Sequence, residues 1–171
     1  METIDTLIKR RSVRGFSSKV IDSDTLEKIL LAGKFAPSGR GRQSAIMILV
    51  QDKDTLAELR AENAKIMGAE YDPFYGATAV IIVLACKDIP TYIYDGTLVM
   101  GNLMNAAFSL GVDSCWIHRA KEEFEGSWGK ALFKKLGIEG NYEGIGHVAL
   151  GYRADTLPEP KPRKDDFVYY I

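Results

Sequence analysis

Between Ile93 and Leu110 the apolar residues Leu98, Val99, Met100, Leu103, Met104, Ala106, Ala107 and Phe108 cover nearly every side of a helix. A helix that is apolar all round has to be enclosed by other elements. The pattern therefore predicts that this segment is the buried centre of the fold, ended by Gly111. It is too interrupted by polar residues to span a bilayer, and no apolar run reaches the roughly eighteen residues that a membrane span needs. The chain opens on a polar helical pattern rather than a signal peptide, so a cytoplasmic location is the default expectation.

What surrounds such a helix is also legible. Ile46–Val50 and Ala79–Ala85 ("AVIIVLA") are unbroken apolar runs that read as strands covered on both faces. Residues 112–117 and 145–151 read as two further strands. Ile4, Leu7, Ile8 and Arg11 recur at helical spacing over 3–11. Asp24 with Glu27 gives a capping-box-like start to a helix ending near Phe35. Asp54 is placed to cap a helix to about Met67, and 121–136 reads as one amphipathic helix. With 171 residues, 46% of them hydrophobic, and no repeat or internal linker, the chain suits a single domain. Residues 152–171 form a proline-marked extended arm whose end, "FVYYI", is too apolar to hang in water and has to dock on the body or on a second copy.

Charge narrows the function classes. The 22 basic and 23 acidic residues leave a net charge of −1, so no global field draws the chain to nucleic acid or a membrane. Cys86 and Cys115 sit in apolar surroundings and read as reduced core residues. Cys115-x-x-His118 lacks a second ligand pair, so no metal site is expected. Gly39-x-Gly41 follows a helix and precedes a strand, the reverse of a dinucleotide-binding turn. Positive charge is nonetheless concentrated locally: "RRSVR" at 10–14, "PSGRGRQ" at 37–43 and "KPRK" at 161–164 stand at element ends. Brought together, such clusters would hold a phosphate attached to something larger. Held apart, they are a helix-dipole partner and a solvated tail.

Taken in order, "IKRRSVRGF", "LLAGKFAPSGRGRQ", "YDGTLVMGNLMNAAFSLGVDSCWI", "GHVALGYR" and "KPRK" make the full length of the chain resemble the flavin-dependent nitroreductase family. That resemblance implies an α+β fold, a mostly antiparallel central sheet flanked by helices, and a C-terminal arm exchanged within a homodimer. It implies FMN bound non-covalently at the dimer interface. Arg10, Ser12 and Arg14 would contact its phosphate, ribityl chain and pyrimidine edge, with Arg11 in the same motif and Lys161 and Arg163 completing the phosphate site. Pro37, Ser38, Gly39 and Gln43 of the other subunit would cover the isoalloxazine, and Trp116, Ile117 and His118 would pass its N5 edge. The implied reaction is a two-step ping-pong transfer from NADH or NADPH through the flavin to a nitroaromatic or quinone. No dedicated catalytic residue is required, although His118 is a candidate proton donor; Phe74, Tyr75 and Arg119 are candidates for the acceptor face.

Two departures from the family pattern stand out. Gly41 replaces a common Asn, and Arg119 occupies a position where small residues are usual. The rival readings are a same-fold flavoenzyme of different chemistry, such as a reductive dehalogenase, and a non-catalytic dimer that carries or senses a flavin or another phosphorylated ligand.

Overall fold

A computed structural model describes residues 2–171. Four strands, β1 (Ala45–Val50), β2 (Ala79–Cys86), β3 (Asp113–Ile117) and β4 (Tyr142–Gly151), form one sheet in the order β1-β2-β4-β3, with every neighbouring pair antiparallel. Six helices flank it: α1 (Thr3–Lys9), α2 (Ser23–Lys34), α3 (Lys53–Met67), α4 (Tyr92–Ser109), α5 (Ala120–Glu125) and α6 (Ser127–Leu136). This is the α+β architecture anticipated from the sequence, and β2 explains why it has three layers. Successive strand residues point to opposite faces. Val80, Ile82 and Leu84 therefore pack with Leu56 and Leu59 of α3, Phe124 of α5 and Leu132 of α6. Ala79, Ile81 and Val83 pack with Leu26 and Ile29 of α2 and Val99, Met100 and Leu103 of α4. Each fully buried Leu or Ile here contributes about 1.5–3 kcal/mol over an exposed one.

Several boundaries differ from the sequence expectation. Asp22, not Asp24, caps α2, accepting from Thr25 N–H at 2.9 Å and from its hydroxyl at 2.8 Å. Asp52, not Asp54, caps α3 through Thr55 in the same way. The working signal is D-x-x-T, in which the carboxylate reaches the third helical N–H while the threonine hydroxyl supplies a second donor. α1 stops at Lys9 rather than at residue 11, because the backbone is extended at Arg10. The segment expected as one helix over 121–136 is two helices broken at extended Gly126. Gly129 lets α6 turn tightly against α5, since a Cβ there would collide with the Phe124 backbone. The end of the arm is a short 3-10 turn at Asp165–Phe167 followed by extended chain, not a sheet strand.

The central helix is enclosed on one side only. Asp95, Gly96, Val99, Met100, Leu103 and Ala107 face the molecule's interior, whereas Ile93, Tyr94 and Leu98 are 48%, 71% and 46% exposed. Likewise β1 is an edge strand, with Ile48 and Val50 buried and Ile46 and Met47 only partly so. Cys115 is buried and Cys86 half-buried, and both are free thiols.

Candidate functional site

The extended stretch after α1 runs beside β3. Val13 N–H donates to the Ser114 carbonyl at 3.0 Å, and Ser12 bridges Ser114 in parallel register. Phe16 N–H donates to the Tyr75 carbonyl, and Ser17 N–H to the Tyr152 carbonyl. The first part of the arm is fixed alongside: Ala154 N–H donates to the Gly15 carbonyl, and Arg153 holds Asp113 through its backbone N–H and its guanidinium, all at 3.0–3.1 Å. The segment after α1 and the first part of the arm thus converge on β3, where Ser12, Arg14, Arg153, Asp155, Thr156 and Pro158 border a hollow of about 180 Å³.

Among the described residues Arg10, Arg11 and Arg14 form no ion pair. Arg11 spends Nη1 on the carbonyls of Ile8 and Arg10, which caps α1. Its Nε is buried and unpartnered, as are Arg10 Nη1 and Ser114 Oγ. Burial first, and the neighbouring Arg11 charge second, draw the Arg10 guanidinium below its ordinary value. Buried cationic donors without acceptors are costly unless something anionic meets them.

At the far end of β3 lies a second hollow of about 240 Å³, bordered by Arg14, Tyr71, Tyr75, Trp116, His118 and Arg119 among others. Arg14 borders both hollows and so joins them. The Trp116 ring stacks on His118 with centroids 5.3 Å apart and gives its Nε1–H to Met100 Sδ at 3.2 Å. Beneath this corner is a wholly buried polar network that the sequence reading did not find. Glu123 Oε2 lies 2.6 Å from His147 Nε2, and His147 Nδ1 lies 3.3 Å from the Ile117 carbonyl. Asn63 donates to Glu123 Oε1 at 2.5 Å and to the His118 carbonyl at 3.0 Å, and accepts from Arg119 Nε at 3.0 Å. The His147 ring thus bridges the Ile117 carbonyl and the Glu123 carboxyl group. The network fixes two consecutive carbonyls, Ile117 and His118. Close packing supports it from β4, where a Cβ on Gly144 would strike the Ala120 backbone.

The 37–44 loop is elsewhere, against the start of α4, in a hollow of about 130 Å³ that Pro37, Ser38 and Gln43 border with Asp95 and Val99. Buried Asp95 accepts from Gly39 N–H at 2.9 Å, Ser44 Oγ at 2.7 Å and Thr91 Oγ1 at 3.0 Å. Burial pushes its carboxyl up, but these three donors outweigh it and hold the group below the ordinary carboxylate value. Gly39 is required by proximity, because a Cβ would run into Thr91. Ser38 Oγ accepts from Gln43 N–H at 3.0 Å and closes the loop.

Within one chain, then, the structure joins Arg14 to Trp116, Ile117, His118 and Arg119, with Ser12 bridged to Ser114 on the same strand; Arg10 and Arg11 stay at the end of α1, and Pro37, Ser38 and Gln43 border a separate hollow, with Gly39 held beside it by Asp95. Tyr75 borders the second hollow, whereas Phe74 is fully buried, edge-on to His147 at 5.2 Å, and acts in packing. Lys161 and Arg163 lie on exposed arm, with only a local 3.5 Å contact between Arg163 and the Lys161 carbonyl. Lys161 is three residues beyond Pro158, at most about 10 Å of extended chain from the first hollow. The described non-glycine residues with positive φ are Arg40, Gln43, Tyr75 and Arg119, all in these segments. Such conformations cost about 1–3 kcal/mol each and gather where surrounding structure enforces them. Among the described residues no group of three or more His, Cys, Asp or Glu could hold a metal, and no helix is long and apolar enough to cross a membrane.

Comparison with known proteins agrees with this geometry. A sequence model of the nitroreductase family matches residues 7–152. A protein of Archaeoglobus fulgidus, provisionally named as an NADH dehydrogenase/NAD(P)H nitroreductase, is 31% identical over 96% of this chain and 88% of its own length. A nitroreductase of Bacteroides fragilis with bound FMN is 29% identical, superposes with a TM-score of 0.90, and is matched over 100% of this chain and 99% of its own. A Desulfitobacterium hafniense nitroreductase with bound FMN is 27% identical, with a TM-score of 0.87 and 99% of each chain matched.

Proposed function

The chain belongs to the nitroreductase family, and from that premise we propose that it is an FMN-dependent oxidoreductase that carries electrons from NADH or NADPH to a nitroaromatic or quinone in two successive half-reactions. The observation that carries this reading is the arginine cluster beside β3, with buried Arg10 Nη1 and Arg11 Nε lacking acceptors. A monoester phosphate brings nearly two negative charges and three strong acceptors, which is what such donors need. The residues present therefore fit the cofactor.

Bound there, FMN would take a hydride from the nicotinamide and pass two electrons on to the acceptor. Arg10, Arg11 and Ser12 would hold the phosphate end, with Lys161 and Arg163 of the arm completing that site. Arg14, between the two hollows, orients the pyrimidine edge and places positive charge where reduction adds negative charge. The backbone of Trp116, Ile117 and His118 would run along the ring edge, with the Ile117 and His118 carbonyls kept from shifting by His147 and Asn63. Donor and acceptor use one hollow in turn. A quinone takes two electrons and two protons, one proton arriving with the hydride and the other from water by way of exposed His118.

A second copy of the chain completes the site in this reading. Ile4, Leu7 and Ile8 of α1, Ile93, Tyr94 and Leu98 of α4, and Phe167–Ile171 are all more than 40% exposed. Apolar surface on this scale favours a partner. In the dimer, Pro37, Ser38, Gly39 and Gln43 from the other copy cover the ring, and the arm wraps its neighbour.

Purified protein tests the reading directly. We expect a yellow protein that bleaches with NADH or NADPH under argon and regains colour with a quinone or nitroaromatic. A colourless protein that takes up no FMN favours the carrier or sensor reading instead. Truncation after Asp165 should give a protein that elutes as a monomer at micromolar concentration, and an unchanged dimer would remove the arm from the interface.

A further inference from the structure

The geometry points to Arg119 as the residue that selects acceptors bearing an anionic group on an aromatic ring; this deepens the function proposed above and rests on it. Arg119 adopts φ 80° at the N-cap of α5, where its carbonyl accepts from Glu123 N–H at 3.1 Å while its side chain leaves the helix uncapped and is free for another role. What the conformation does is present the guanidinium to Asn63. Nε donates to Asn63 Oδ1 at 3.0 Å, and Asn63 is itself immobilised, fully buried between the His118 carbonyl and Glu123. Glu123 is turned towards His147 and Asn63, so its charge is engaged behind that amide.

The tether uses one of the five guanidinium donors. Among the described residues no hydrogen bond or ion pair takes the others. Arg119 borders a hollow walled by Tyr71, Tyr75 and Trp116, whose charged or titratable neighbours also include Arg14, His118 and Cys115, with no aspartate or glutamate. Aromatic walls suit a planar ring, and a fixed guanidinium at the rim suits a carboxylate through two parallel hydrogen bonds. Arg14 is committed to the cofactor in the proposed function, which leaves Arg119 as the cation for the second ligand. A merely solvated arginine would need neither the strain nor the tether.

The test uses FMN-loaded protein. Calorimetric titration with benzoate and benzamide, and steady-state kinetics with 4-nitrobenzoate and 4-nitrobenzamide, compare a carboxylate with its neutral isostere. Wild-type protein should prefer the anion at least tenfold in both Kd and kcat/KM. Arg119→Gln should abolish that preference, while Arg119→Lys, which keeps the charge without the fork, should retain part of it. A preference untouched by Arg119→Gln overturns the assignment. So does a change confined to NADPH over NADH, which would give the cation to the donor's phosphate. A wild-type protein that binds no FMN brings down the proposed function and this selection with it, whereas a yellow, bleachable protein with no preference for benzoate sinks the selection alone.

Discussion

The 38–44 loop and the 117–119 corner both carry strained side-chain-bearing backbone, and each is pinned by one buried acid, but the pinning differs in kind. Asp95 holds its loop directly, accepting from one backbone N–H and two hydroxyls. The carboxyl group of Glu123 touches none of the backbone it stabilises. It acts through His147 and Asn63, which reach the carbonyls of Ile117 and His118. A carboxylate ringed by small neutral donors makes a local clasp. A carboxylate reached only through other buried side chains makes the clasp part of the core, so that damage at the corner is damage to the whole molecule.

The largest effect should follow from breaking the indirect clasp. Glu123→Ala leaves His147 and Asn63 buried without their partner, and we expect a loss of about 3–5 kcal/mol in urea unfolding. A loss no larger than that of Asp95→Asn would make the two corners equivalent and dissolve the contrast. Asp95→Asn should cost less, about 1–3 kcal/mol, with proteolysis quickening at Arg40 and Arg42 before global unfolding.

The same aspartate gives the contrast a pH signature. Its carboxyl lies below the ordinary value when folded, so its stabilisation is complete above the unfolded value near pH 4 and is lost as pH falls through the lower folded value. Wild-type stability should therefore fall more steeply than that of Asp95→Asn on acidification below about pH 4, and parallel curves would show that the three donors do not favour the charged form. The smallest effect separates strain from tether. Gln43→Gly relieves φ 50° without losing a side-chain bond and should stabilise by about 0.5–1 kcal/mol. Arg119→Gly relieves similar strain but gives up the bond to Asn63, so its melting temperature should barely move.

The layered sheet and the arginine segment were readable because their signals are local: unbroken apolar runs, and cations crowded at the end of α1. Helix starts were misplaced by two residues because Asp24 and Asp54 compete with Asp22 and Asp52, and only the threonine three positions on decides between them. The buried network was invisible because its members are far apart in sequence, 60 residues from Asn63 to Glu123 and 24 from Glu123 to His147. Within "KEEFE" the acid reads as a solvated helix charge. Its position three residues after Ala120 and one before Phe124, both buried, was the available sign that Glu123 turns inward. The central helix misled in the opposite way. Its all-round apolarity describes a surface to be covered, and a single copy covers only one side of it.

One consequence concerns how β2 finds its place. A strand equally greasy above and below carries no internal record of which way up it lies, so a slip by one residue would trade its two layers with little polar penalty. The alignment shifts between Val83 and Leu84, where Ile145 is the extra residue between Gly144 and Gly146. Gly144 leaves no room for a side chain against the Ala120 backbone, and at Gly146 a side chain would crowd Met100 and Trp116. That kink is a keyway: only one setting of the strands admits both bare positions, and the same setting delivers the Trp116 corner to its post.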